Sequence, residues 1–513
     1  MLMLSKVFSG AIYGVDAFTV EIEVHAGGGD FKTVMVGLPD MAVRESTDRV
    51  MTALLNSGFH LPMGRVTINL APADIRKEGP SFDLPIAIGT LCSMNMIDQD
   101  SLDDVCVIGE LALSGEVRRV KGVLPIAIHA RKRGCTRLLV PTENAEEAAV
   151  VEGLEVYPID SLRQAVAFLN GDADITPTKT DMNQLFLQAA SYPVDFSEVK
   201  GQESAKRAIE VAIAGGHNVL FIGSPGTGKT MIAKRVPTIL PPMTLEEALE
   251  TTKIHSIAGK LSRSEPLVAC RPFRTPHHTV SDAGLLGGGT HPQPGEVSLS
   301  HHGVLFLDEL PEFARNVLEV MRQPLEDGEV TISRAAATVT FPCEFMLLAA
   351  MNPCPCGFHG DRNRECRCSN LQIANYRNKI SGPLLDRIDI HIEVPSVDYE
   401  QLSSTASGEP SASIRERVIA ARAVQQARFD SVDHVHCNAG MGPKETESHC
   451  KISQDGQDMM KMAITELNFS ARAYDRILKV SRTIADLAGM DVIESEHIAE
   501  AIQYRTLDRQ LWT

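Results

Sequence analysis

Short apolar runs, several of them closed by glycine, an acid or an amide, alternate along this chain with longer stretches of helical periodicity. Each short run reads as a strand buried on both faces, and the alternation predicts a parallel sheet flanked by helices. In the N-terminal part, residues 66–70 and 138–140 read as strands and residues 43–57 as a helix. A polar, proline-containing stretch at residues 171–181 reads as a linker. From about Asp195 a helix at 202–214 feeds an apolar strand at 219–222, with further strands at 304–307 and 345–350. A Ser- and Gly-containing loop at 403–413, expected to be mobile, precedes helical patterns at 414–429, 471–489 and 495–504. The expected class is α/β, divided into residues 1–170, a linker at 171–194, a P-loop α/β core at 195–398 and an all-helical lid at 399–513.

Two of the short runs carry chemistry. Behind residues 219–222 stand Gly223, Ser224, Pro225, Gly226, Thr227, Gly228, Lys229 and Thr230, a G-x-x-x-x-G-K-T turn between a strand and a helix start. Its backbone N–H groups and the helix N-terminus direct positive charge at a triphosphate. Lys229 reaches the β- and γ-phosphates, and the Thr230 hydroxyl holds Mg²⁺. The run at 304–307 ends in Asp308, which completes the Mg²⁺ shell, and Glu309, which orients the attacking water. Such a turn alone arises by chance; with the acidic strand end behind it, hydrolysis of ATP is the expected activity. The strand at 345–350 leads to Asn352, whose amide can bond the attacking water or the γ-phosphate. Arg387 follows the core sheet, where such an arginine stabilises the transferring phosphoryl group, usually from a neighbouring subunit. Arg472 stands at the start of a lid helix and could report hydrolysis as a domain rotation.

In this order the motifs resemble the AAA+ superfamily, in its magnesium-chelatase-like branch, from Phe196 to the C-terminus. The resemblance implies P-loop, Mg²⁺, water, sensor, arginine-finger and lid-sensor roles for Lys229, Thr230, Asp308, Glu309, Asn352, Arg387 and Arg472. It also implies ATP and Mg²⁺ as cofactors and a homo-oligomeric ring, a hexamer. Two insertions fit the branch: R-T-P-H-H-T at 274–279 leading into a glycine-rich run at 284–289, and a hairpin at 329–340 with Arg334 near its tip. In related rings such hairpins line the pore and grip nucleic acid; an ordinary exposed hairpin arginine is the alternative. Near the N-terminus, K-E-G-P-S at 77–81 resembles the nucleophile segment of Lon-type proteases, with Ser81 at the nucleophile position. That family's lysine base falls at Leu124, and Lys121 is three residues out of register. A Lon-protease-like α+β domain without its Ser/Lys dyad is therefore implied, and a protease only if Ser81 finds another base. The whole layout resembles the ComM/YifB family over essentially the full chain. That resemblance implies a DNA-dependent ATPase, a helicase or branch-migration motor acting on branched or recombination intermediates in natural transformation. A chelatase-type remodeller that inserts a metal with partner subunits is the alternative.

Eleven cysteines are present, and four of them cluster: Cys354, Cys356, Cys366 and Cys368 form C-x-C-x9-C-x-C. Four thiolates within fifteen residues suit a tetrahedral Zn²⁺ site, although C-x-C is tighter than the common C-x2-C and free thiols are the other reading. The formal net charge of −17 argues against coating nucleic acid over the whole surface. Two local basic clusters remain: Arg118, Arg119, Lys121, Arg131, Lys132, Arg133 and Arg137, and a second of Arg362, Arg364, Arg367, Arg377 and Lys379 interrupted by Asp361 and Glu365. Each reads as nucleic-acid contact or as a solvated face. No apolar run is long enough to span a bilayer, and the N-terminal apolar stretch is too short for a secretory signal. A cytoplasmic protein without membrane contact is expected.

Overall fold

The computed structural model of the chain describes residues 4–189, 192–262, 265–289, 292–334, 338–361, 364–397, 408–430, 432, 435–467, 469–505 and 507. Two compact units result: Met1–Ala189 with Leu245–Ala269 and Ser333–Phe341, and Ala190–Thr244 with Cys270–Ile332 and Pro342–Thr513.

The first unit is built on seven strands: β1 (Leu4–Tyr13), β2 (Asp16–Ala26), β3 (Lys32–Val36), β4 (Arg65–Ala71), β5 (Val105–Val107), β6 (Arg137–Pro141) and β7 (Glu155–Ile159). They lie in the order β3-β4-β2-β1-β5-β6-β7. The pairs β1–β2 and β2–β4 are antiparallel, and the remaining neighbours run parallel. In β2 the period-2 pattern buries Val20, Ile22, Val24 and Ala26 and leaves Glu21, Glu23 and His25 on the other face. The helix Asp83–Ser93 is buried along its whole length. Its single charge, Asp83, pairs with Arg49 of the helix Met41–Asn56 (Oδ2 to Nε, 2.9 Å), and burial pushes the carboxyl up to about 6 against the pull of that guanidinium.

Ser81 sits in the 3-10 turn Pro80–Phe82, and its carbonyl accepts the Gly109 N–H (3.0 Å). Leu124 is fully buried on the helix Val123–Arg133, and Lys121 is exposed. The stretch read as a linker makes one backbone bond to the sheet: Thr178 donates to the Val156 carbonyl of β7 (2.8 Å). That strand ends the sheet, so its outer backbone groups need partners. A helix, Met182–Ala189, follows. Residues Leu245–Ala269, expected inside the ATPase segment, cluster with this unit instead. Gly122 donates to the Ser256 carbonyl (3.2 Å), Arg119 to the Leu261 carbonyl (2.6 Å), and the Ser256 hydroxyl bonds Glu147.

The second unit holds a five-stranded, all-parallel sheet of β8 (Val219–Ile222), β9 (Phe273–Arg274), β10 (Val304–Leu307), β11 (Met346–Met351) and β12 (Ile390–Glu393). The order is β9-β10-β11-β8-β12. Every residue of β8, β10 and β11 is buried, as uninterrupted apolar runs require. Because β11 lies between β8 and β10, the residue after it stands between the two strand ends that carry the phosphate-binding turn and the acidic pair.

Among the described residues five α-helices follow β12: Ser411–Phe429, Pro443–His449, Gln454–Leu467, Ala471–Leu487 and Ser495–Gln503. Residues 403–407 of the expected mobile loop lie outside the described residues; 411–413 open the first of these helices. A buried ionic knot holds the helices together. Asp486 accepts from Arg428 (2.9 Å), Arg482 (3.0 Å) and Asn438 (2.8 Å). Removing the carboxylate strands two guanidinium groups in the interior. Asp486→Ala is therefore expected to cost about 3–5 kcal/mol of unfolding free energy, measured by chemical denaturation. Among the described residues no helix is long and apolar enough to cross a membrane.

Candidate nucleotide site

The phosphate-binding turn bends where the sequence permits it. Gly228 has φ +91°, a conformation that L side chains avoid, and it hands the chain to the helix Lys229–Ala233. Lys229 is largely buried, and its ammonium donates to the carbonyls of Gly223 (2.5 Å) and Ser224 (3.0 Å) and to Asn352 Oδ1 (3.2 Å). The Thr230 hydroxyl donates to Asp308 Oδ2 (2.7 Å). Glu309 follows with φ +54°, a left-handed conformation that is uncommon for a non-glycine residue, and its carboxylate is half exposed. Thus Lys229, Thr230, Asp308, Glu309 and Asn352, drawn from three strand ends, converge as expected.

Burial brings the Lys229 ammonium down to about 8, with Asp308 and Glu309 pulling the other way. Phosphates need the charged form, so above that pH nucleotide binding must take up a proton. Affinity for an ATP analogue is expected to be flat near neutrality and to weaken by up to about tenfold per pH unit above about 8. Constant affinity through pH 9.5, followed by fluorescence titration, would contradict this. The stability sign is opposite. Between the two values the unfolded chain binds more protons, so the fold gains stability as pH rises there.

Arg387 and Arg472 are engaged elsewhere. Arg387 pairs with Glu326 and donates to the Pro383 carbonyl (2.7 Å); Arg472 lies 3.9 Å from Asp386 and is largely exposed. The Arg387 hydrogen bond, with Arg472 and Arg322 nearby, holds the Glu326 carboxyl below the usual carboxylate range. These groups line or border an open cavity that includes Arg322, Glu326 and Arg387. Asp389 ties the lid to the sheet: burial opposes its ionisation, yet Arg476, His217 and the Asn218 N–H hold it well below the carboxylate range.

Two residues at the site escaped sequence reasoning. His278 Nδ1 lies 3.6 Å from Glu309 Oε2. Gln202, with φ +58°, donates from Nε2 to the Thr227 carbonyl (2.5 Å) and to the Pro395 carbonyl (3.2 Å), bracing the turn from outside. The H-H pair in R-T-P-H-H-T was a visible signal for the first; nothing marked the second.

The four clustered cysteines converge as well. Their sulfurs lie within 4.8 Å of one another, and Cys354, Cys356 and Cys366 are separated by 3.3, 3.6 and 3.7 Å. The N–H groups of Phe358 and Arg367 bring the Cys356 thiol down to about 6. The second basic cluster divides: Arg364 and Arg367 are exposed, and Arg377 and Lys379 are not free surface charges. Arg377 is buried and donates to the Pro353 carbonyl (3.2 Å), Lys379 lies 3.6 Å from Glu312, and Arg362 is outside the described residues. In the first cluster Arg119 and Arg137 are bound internally and Arg133 lies over Phe8, whereas Arg118, Lys121, Arg131 and Lys132 are exposed. Arg334, just past the strand Glu329–Ser333, is exposed; residues 335–337 of the expected tip lie outside the described residues.

A parallel sheet with this strand order, turn and acidic pair defines the core of a P-loop ATPase. Residues 195–402 match the family described as magnesium chelatase, subunit ChlI; residues 20–144 match subunit ChlI of Mg-chelatase, and 408–505 its C-terminal region. The chain is 45% identical to Competence protein ComM of Haemophilus influenzae, covering 99% of each chain. It is 42% identical to the protein YifB of Escherichia coli over 99% of this chain and 98% of that one. The chloroplastic magnesium-chelatase subunit ChlI-1 of Arabidopsis thaliana is 22% identical over 65% of this chain and 74% of its own. The chain belongs to the ComM/YifB family.

Proposed function

We propose that this protein is the subunit of a ring, a hexamer, that uses ATP and Mg²⁺ to move DNA strands at branched recombination intermediates, as in natural transformation. The observation that carries the reading is the full-length match to a competence protein together with an intact phosphate-binding cluster. In the proposed roles Lys229 and the turn amides hold the phosphates, and Thr230 and Asp308 turn their oxygens from each other to Mg²⁺. Glu309 orients water, Asn352 reads the γ-phosphate, and Arg472 reports it to the lid. Arg387, held by Glu326 away from its own turn, supports a role in trans and hence the ring. The four cysteines extend the cofactor set to one structural zinc ion. The proposed division of labour makes the first unit a protease-like scaffold without proteolysis, and the setting cytoplasmic.

The family matches named for magnesium chelatase favour a second reading, a remodeller that assists metal insertion. The Arabidopsis thaliana chelatase subunit matches less of the chain than the competence protein does, at lower identity. ATPase rate with and without branched DNA separates the two. Several-fold stimulation by DNA supports the motor, and indifference to every DNA tested transfers the assignment to the remodeller.

A further inference from the structure

We propose that a zinc ion held by Cys354, Cys356, Cys366 and Cys368 sets the shape of the phosphate-binding turn, so that metal occupancy controls nucleotide binding. The donor set fits the ion. Tetrahedral Zn²⁺ with Zn–S bonds of about 2.3 Å places its sulfurs about 3.8 Å apart. The separations of 3.3, 3.6 and 3.7 Å, with Cys368 in the same cluster, lie close to that figure. Cys354 is fully buried, so one ligand anchors the site to the interior.

The loop clipped by these cysteines reaches the turn at two points, both between Cys356 and Cys366. The Ser224 hydroxyl donates to Asp361 Oδ2 (2.6 Å). Gly357, with φ +86°, packs so closely that a Cβ there would stand 2.5 Å from Pro225 Cδ. On the other side of Cys354, Asn352 receives Lys229, and the intervening Pro353 carbonyl is held by Arg377. The metal-binding segment therefore touches Ser224, Pro225 and Lys229, three of the eight residues of the turn. Ordering residues 357–361 costs more chain entropy than one hydrogen bond and one proline contact supply. A metal that closes the loop removes most of that cost before nucleotide arrives, which is preorganisation of the binding site. The carboxylate of Asp361 acts here as a brace on Ser224.

The inference rests on the ATP-site reading and is independent of DNA movement, so its test uses nucleotide binding alone. Full-length protein, purified without added metal, is assayed for zinc per chain and for affinity towards a fluorescent ATP analogue. The assay is repeated after stripping with a zinc chelator and after zinc is restored. One zinc per chain is expected, with about tenfold weaker binding on stripping and recovery with zinc but not with Mg²⁺. Two variants keep all four ligands and so stay informative if stripping loosens the fold. Gly357→Ala and Asp361→Ala are each expected to retain zinc and to weaken nucleotide binding by about three- to tenfold, whereas Asp361→Asn, which keeps an acceptor for Ser224, restores it. Zinc-free protein with full affinity overturns the proposal, as does folded, stripped protein whose affinity is unchanged. Tighter binding in both Asp361 variants also overturns it, because the carboxylate would then be repelling phosphates. Failure of DNA movement alongside these expected results would count against the motor only.

Discussion

Lys229→Ala is expected to cut ATP hydrolysis by about 10³-fold and to weaken ATP binding by about ten- to a hundredfold. The side chain is a cation in direct contact with the turn's carbonyls, and a phosphate is a stronger partner than any it has now. The variant should fold. Burial already disfavours the ammonium, as its lowered proton affinity records, so its loss removes a desolvation penalty along with three hydrogen bonds. Equilibrium binding and steady-state hydrolysis, with a melting curve as control, check the prediction. Loss of activity accompanied by loss of fold would give Lys229 a structural role instead.

Arg387→Ala is expected to lower hydrolysis by about 10³-fold or more while leaving ATP binding near that of the parent. The arginine now answers Glu326 and the Pro383 carbonyl; in the proposed ring, release of Glu326 frees it for a phosphate of the neighbouring subunit. Mixing tests this directly. In an equal mixture of Lys229→Ala and Arg387→Ala chains, an interface is whole when an intact turn faces an intact arginine, about a quarter of all interfaces. Activity should rise from near zero towards that fraction. Two inactive proteins that stay inactive when mixed would place Arg387 in cis or make it a structural residue.

What the sequence disclosed depended on how local the signal was. The turn from Gly223 to Thr230 sits directly behind an apolar strand, and Asp308 and Glu309 directly behind another, so chemistry and element were read together. Asn352 was placed by the same logic, and the sheet order sets it between the two strand ends. The C-terminal helices carried clear periodicity. Long-range partners were invisible: Glu326 lies 61 positions from Arg387, and Gln202 reaches Pro395 across 193. Leu245–Ala269 carries no motif, and its place in the first unit rests on bonds such as Ser256 to Glu147, 109 residues apart. The bond that the 171–181 stretch makes to β7 was invisible, because polar composition says nothing of an open sheet edge that will accept a strand-like partner. One member of the second basic cluster was misplaced for a related reason: sequence proximity set Arg377 among surface charges, whereas its guanidinium is buried against the cysteine loop.

The central claim is that ATP turnover at this site moves DNA strands. It is tested most directly by ATP-dependent resolution of a labelled four-way DNA junction, comparing the parent with Lys229→Ala. Junction resolution by the parent alone, dependent on ATP and Mg²⁺, is the predicted result. Parent protein that hydrolyses ATP yet leaves every junction intact would contradict it.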